Sequence, residues 1–306
     1  MRMGKDCQKR QVLKSSLIGR LGLNINGDLS EKEIVDRVKF AEIAGIRTIW
    51  VGEFEGFTDP FVVADIISSA SRSLIVGFGI LSVSRRSCEE IVDSLEVLRQ
   101  KYGDRYILGL GLGENAKAFH RLKECVERLS GCCVVGAGSP ATLKLSSKTD
   151  GVLYNSVNTE FIRWMDGFVE GNIFKAAYGP ALLLSSKFEE DLIIAALIVF
   201  LGSKRLISEF KMDAIAEETS GVDIMELVEL RRSGRSIRES SDAEKILKHR
   251  DFLLKNFTLS GGVSEVAEGI EKLLELCDHV VLADPFFRDL NSMRMLGTLV
   301  NMIEGG

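Results

Sequence analysis

Short apolar runs rich in β-branched residues alternate with helix-period segments along nearly the whole chain, and this alternation restricts the fold more than any other feature. The runs cover residues 18–25, 48–51, 74–80, 106–112, 132–135, 151–154, 173–184 and 279–283. Between them, Ile34, Val38 and Ala41, then Ile91, Leu95 and Leu98, and later Val263, Val266, Ile270, Leu273 and Leu274 recur at three- to four-residue spacing. Strands that alternate with helices pair in parallel through right-handed crossovers, and eight such units close into a (β/α)8 TIM barrel. A doubly wound sheet is the rival. Against it, the eighth strand and its helix at 291–303 sit at the C-terminal end, where a closing unit belongs.

Residues 188–262 interrupt the pattern. They hold no proline, are dense in charge, and show helical stretches at 191–201 and 224–232. They predict a helical insertion between strands 7 and 8, packed as a cap or oligomer contact. The chain then divides into an N-terminal extension, 1–18, and one barrel, 19–306.

Composition narrows the function. The net charge of −5 argues against a broad basic face for nucleic acid. The extension is the exception, with Arg2, Lys5, Lys9, Arg10, Lys14 and Arg20 against Asp6 alone in the first 20 residues. It lacks the apolar stretch of a signal peptide, and the longest apolar run, 192–202, is about half a membrane span. A soluble cytoplasmic protein is expected, with its six cysteines reduced and mostly buried. Cys7, Cys88, Cys125, Cys132, Cys133 and Cys277 form no Cys-x-x-Cys pair and no zinc motif, so no metal site is expected.

In a barrel the residues after each strand face one mouth. Strand one offers Asn24 and Asn26; strand two Glu53 and Glu55; strand three Ser82, Arg85 and Arg86. Strand four offers Gly111, Gly113, Glu114 and Asn115, strand five the turn 136–140, strand six Asn155, and strand eight Asp284 and Arg288. Gly109-x-Gly111-x-Gly113 reads as a turn whose N–H groups receive an anion. Gly136-x-Gly138-x-x-Ala141 resembles a dinucleotide turn, but the acidic residue expected about 20 positions on is missing, so packing of a barrel turn competes with it. Glu53 and Glu55 are either paired acids or a solvated loop, and Arg85-Arg86 either bind phosphate or cap the rim. His120, His249 and His279 have no nucleophile or ligand partner at motif spacing and read as structural.

Taken together, these loops resemble the bacterial-luciferase-like superfamily, in the branch of coenzyme F420-dependent methylenetetrahydromethanopterin reductase. The resemblance rests on residues 41–46 and 50–53, on Val76-Gly77-Phe78-Gly79-Ile80 followed by Arg86, and on 104–113. It continues through Gly136-Ala137-Gly138-Ser139-Pro140, Leu143-Lys144, 150–155 and 261–265. These segments occur in family order and cover nearly everything after residue 20. The resemblance implies a deazaflavin, F420, or alternatively FMN, across the C-terminal mouth of the barrel. It implies a non-prolyl cis peptide at Gly79-Ile80 that presses a bulge on the central ring of the cofactor. The implied cofactor residues are Glu53, Gly79, Ile80, Ser82, Gly136, Gly138, Ser139 and Asn155, with the tail and phosphate near Gly136, Gly138 and Ser139. The implied chemistry is hydride transfer to or from a small-molecule substrate, without a protein nucleophile, in a homo-oligomer that binds neither nucleic acid nor membrane.

Three positions depart from the branch. Asn24 stands where reductases carry an acid, and Phe54 where relatives often carry histidine. The segment from Gly113 to Cys132 is cut down to one helix over 116–129. The reading is therefore an F420-dependent oxidoreductase resembling the reductase, with an FMN-dependent monooxygenase and a non-catalytic cofactor-binding paralogue as alternatives.

Overall fold

A computed structural model describes residues 15–113, 115–183 and 187–304. The extension before residue 15, Cys7, Glu114 and the Leu184 end of the seventh run lie outside the described residues.

Eleven strands follow in chain order: β1 (Leu21–Ile25), β2 (Thr48–Val51), β3 (Ile75–Phe78), β4 (Leu81–Ser82), β5 (Tyr106–Ile107), β6 (Gly109–Gly111), β7 (Val134–Ala137), β8 (Gly151–Tyr154), β9 (Phe174–Leu183), β10 (Leu259–Gly261) and β11 (His279–Ala283). All pairings are parallel. The predicted third strand is split into β3 and β4 around Gly79-Ile80, and the predicted fourth into β5 and β6 around Leu108. Because β3 pairs with β5 while β4 pairs with β6, the split pieces continue one ladder. β6 leads on to β7, β8, β9, β11, β1, β2 and back to β3, so each of the eight positions is paired on both sides. The sheet closes into the expected (β/α)8 barrel, and closure leaves no free edge among these eight positions.

Three of the connecting helices on the first half of the barrel start with a side-chain cap that stops the preceding loop. Ser30 and Glu33 form a capping box ahead of the helix Glu31–Ile43, and Ser87 and Glu90 do so ahead of Cys88–Tyr102. Asp59 caps Pro60–Ala70, with Pro60 supplying a preset φ where no N–H is needed. Such caps contribute about 1 kcal/mol each and fix where the mouth loops end.

Strand side chains alternate. Leu23, Ile25, Ile49, Val51, Val76 and Phe78 pack outward against the helices. Trp50, Ile107, Val134, Leu153, Ala176 and Val281 fill the interior with Ile18, which ends the short helix Ser15–Ile18 rather than starting a strand. Trp50 occupies the N-terminal half of the interior because Gly22 and Gly77 face it: a Cβ on Gly77 would lie 2.6 Å from the indole. Its Nε1 donates to His279 Nε2 at 3.0 Å, so His279 is the tautomer whose Nδ1 donates to the Gly19 carbonyl at 2.9 Å. His279 is thus a structural histidine, as the sequence predicts.

Burial lowers the His279 pKa to about 4, against the pull of the Gly19 carbonyl. The unfolded chain binds this proton first, so stability is full above about pH 6.5 and falls as pH drops toward 4. At pH 5 the expected loss is about 2 kcal/mol. Urea unfolding at pH 7 and pH 5 should show that loss in the wild type and not in His279→Gln, which keeps an acceptor for Trp50. Equal pH dependence in the two proteins would refute it.

Between β9 and β11 the chain forms six helices from Glu189 to Phe257, then β10 and the helix Val263–Leu274. The sequence reading had no strand at β10; its three residues extend the top of β9, pairing Leu259 with Ala181. A further correction concerns the cysteines. Cys88 and Cys125 form a disulfide, and Cys132 is also disulfide-bonded, whereas Cys133 and Cys277 are free and buried. Cys88 and Cys125 are 37 residues apart with no motif between them. They meet because the helices Cys88–Tyr102 and Phe119–Arg128 follow neighbouring barrel positions. No helix among the described residues is long and apolar enough to cross a membrane.

Candidate functional site

The C-terminal ends of the strands carry the site residues to one mouth, and its most distinctive feature is the interruption of the third barrel position. Gly79-Ile80 is a non-prolyl cis peptide, where the resemblance placed it. The interruption turns Ile80 inward over the mouth. Gly111 and Gly136 make room for it, since a Cβ at either would lie within 2.8 Å of the Ile80 side chain. Leu153 and Tyr178 stand next to Gly79.

Glu53 anchors the bulge. Its carboxylate accepts the Ser82 N–H at 2.7 Å and the Arg86 Nε–H at 2.6 Å, and Arg86 also reaches Asp59 at 2.7 Å. The Glu53 side chain is only 6% exposed, so this ion pair works in a less screened setting than a surface bridge. Ser82 Oγ lies 2.8 Å from Ser84 Oγ and donates to the Leu112 carbonyl at 3.3 Å. Glu53 and Glu55 are therefore not a catalytic pair: Glu55 is exposed and faces Arg85 at 3.5 Å. Arg86 is occupied by two carboxylates and braces the loop instead of waiting for a phosphate.

The two glycine clusters also change meaning. Gly109 and Gly111 lie within β6 and do not open a helix. A Cβ on Gly109 would fall 1.9 Å from the Phe78 carbonyl oxygen, and Gly111 accommodates Ile80. These glycines permit close packing, so the anion-turn reading is withdrawn. Gly136 is likewise a strand residue that faces Ile80. Gly138 lies just past β7, is exposed, and has open space where a Cβ would be. Ser139 caps the helix Pro140–Ser146, its Oγ accepting the Thr142 N–H at 3.4 Å. Asn155 follows β8 and is exposed. Of the eight sequence-predicted residues, Glu53, Gly79, Ile80, Ser82 and Gly136 thus form one packed group, while Gly138, Ser139 and Asn155 stand on adjacent rims.

On strand one, Asn24 is buried, and its amide donates to the carbonyls of Ile25 and Trp50 at 3.3 and 3.2 Å. A carboxylate at this position would face two carbonyl oxygens. Asn24 therefore holds backbone in place and supplies no proton. Phe54 is exposed and packs on Phe57, which also meets Arg232 from the insertion at 4.9 Å. The span 116–129, where the sequence predicts one helix, holds a 3-10 turn at Ala116–Ala118 and the helix Phe119–Arg128.

Two features escaped the sequence reading. Tyr178 sits on β9 inside the mouth; burial, with help from Asp284, pushes its phenol pKa up, so it remains a neutral hydrogen-bond donor. Its only sequence signal was an inward position in a run long enough to be taken as core. Arg288 was noted only as a loop residue. It binds Asp284 at 2.6 Å and also Asp28, and burial pushes the Asp284 carboxyl up against the opposing influence of Arg288. This cluster ties strand one to strand eight.

No protein-family model and no curated protein matches the sequence. Similar solved structures include the coenzyme F420 dependent tetrahydromethanopterin reductase from Methanopyrus kandleri, at a TM-score of 0.73 and 17% identity over 94% of this chain and 98% of that one. Monooxygenase RslO1 from Streptomyces bottropensis aligns at a TM-score of 0.59 and 11% identity, over 94% and 99%. The oxygenating constituent of 3,6-diketocamphane monooxygenase from Pseudomonas putida, a type II Baeyer-Villiger monooxygenase in complex with FMN, aligns at 0.56 and 12%, over 93% and 98%. At these identities the likeness shows a shared fold.

Proposed function

We propose that this protein is an oxidoreductase that holds coenzyme F420 across the C-terminal mouth of its barrel and moves a hydride between it and a small-molecule substrate. The observation that carries this reading is Ile80 turned into the mouth against Gly111 and Gly136, with Glu53 and Arg86 holding the segment that follows. The residues fit a ring system with an extended tail: Ile80 and Tyr178 are part-exposed at the mouth, and open space stands beside Gly138. The deazaflavin, when bound, would supply the hydride chemistry. The chain would orient and shield the reacting groups, an effect worth several kcal/mol when the approach is well aligned. Ile80 gives the ring an apolar backing, and the Glu53 bridge prevents that backing from relaxing. Tyr178 offers a neutral O–H. Asn24 offers no acid, so reduction of a pterin that needs a first-strand carboxyl would be slow, by about 10²- to 10⁴-fold for one missing general acid.

FMN is the second reading, supported by the FMN complex among the similar structures. Titration of the purified protein with F420 and with FMN separates the two: saturable uptake of F420, tighter than FMN, is expected. Tighter FMN binding would move the protein to the monooxygenases, and uptake of neither would overturn the proposal. The expected self-association finds support on the flank, where the adjacent helices Glu31–Ile43 and Leu290–Glu304 expose Phe40, Ile43, Met295 and Met302.

A further inference from the structure

The helical insertion carries an open cleft of its own, of about 370 Å³, within the range that small molecules occupy. Its wall includes Lys187, Glu189, Glu190, Arg231, Arg238 and Arg250, with Ile193 and Leu247 as an apolar floor. Hydrogen-bond capacity divides these residues into a frame and a free set. Arg231 belongs to the frame: its guanidinium donates to Asp191, Glu190 and the carbonyls of Lys187 and Arg235, which uses all five N–H groups. Glu190 is equally committed. It accepts from Arg231, the Ser236 hydroxyl and the Ile237 N–H. Arg250 gives three N–H groups to Glu189 and Asp251 and retains two.

Lys187 and Arg238 are exposed, and neither pairs with a carboxylate among the described residues; Lys187 lies over the Phe188 ring. The acids of the wall are thus already engaged by arginines, while the unspent capacity is mainly cationic donors. That balance favours an anion, and the rigid Arg231 frame keeps the cleft shape without a ligand.

We propose that this cleft binds a small anionic ligand, its carboxylate or phosphate group held by Lys187, Arg238 and the spare donors of Arg250 and its apolar part resting on Ile193 and Leu247. The site is separate from the cofactor reading and does not depend on it. The full-length protein would be titrated calorimetrically at low ionic strength with inorganic phosphate and, separately, with glutarate. Saturable binding of at least one is expected, weakened at least tenfold in the Lys187→Gln/Arg238→Gln double variant at unchanged melting temperature. Both positions are exposed, so the variant is expected to fold, and Arg238→Gln alone provides a second, milder test with the same direction. Preference for phosphate or glutarate identifies which anion the site is built for. Saturable binding of neither anion, or binding equal in wild type and variants, would overturn the proposal.

Discussion

Gly109→Ala is expected to destabilise the protein by about 3 kcal/mol, the upper end of what overpacking costs. The added methyl would start 1.9 Å from the Phe78 carbonyl oxygen. Backbone cannot swing aside as a side chain does, and Phe78 is fully buried against Phe61. The strand would have to shift, and it leads directly into the Gly79-Ile80 bulge. Weaker cofactor binding should therefore accompany lower stability. Gly297→Ala provides the contrast, since Gly297 lies inside the helix Leu290–Glu304 and nothing stands within 4 Å of a Cβ there. That change should stabilise by about 0.5 to 1 kcal/mol. Urea unfolding of both variants checks the pair, and a loss below about 1 kcal/mol at Gly109 would contradict the packing argument.

Gly138→Val should behave in the opposite way, leaving the fold unaltered and removing ligand binding. A Cβ at Gly138 meets no atom within 4 Å, and the residue is exposed at the turn between β7 and the helix Pro140–Ser146. Valine should therefore change the unfolding free energy by less than about 0.5 kcal/mol. If the tail of the cofactor approaches this turn, the two methyls would occupy its space, and affinity should fall by about 100-fold, equivalent to roughly 2.7 kcal/mol. Fluorescence titration with F420 on a variant of unchanged melting temperature reads this directly. Unchanged affinity would place the tail elsewhere on the rim.

The contrast between these glycines also shows what the sequence reveals and what it leaves out. Strand order was legible because short apolar runs such as 48–51 and 279–283 stand between helix-period segments. The site of the bulge was legible only through the resemblance around Val76-Gly77-Phe78-Gly79-Ile80. A glycine for a turn and a glycine for close packing, as at Gly109 and Gly136, look alike in a sequence until the partner is known. Their partners, Phe78 and Ile80, belong to the third barrel position, many residues away. The Cys88–Cys125 bond was hidden for the same reason, and so was the commitment of Arg86 to Glu53 and Asp59. Three-residue β10 gave no periodic signal, because a strand that short shows no alternation to read.

The central claim is that the mouth shaped by Ile80 and held by Glu53 exists to receive a deazaflavin. The absorption spectrum of the protein purified from its native source tests this most directly. A bound deazaflavin chromophore that is released on denaturation is the predicted result. A flavin spectrum, or a colourless protein that takes up no F420 when it is added, would contradict the account.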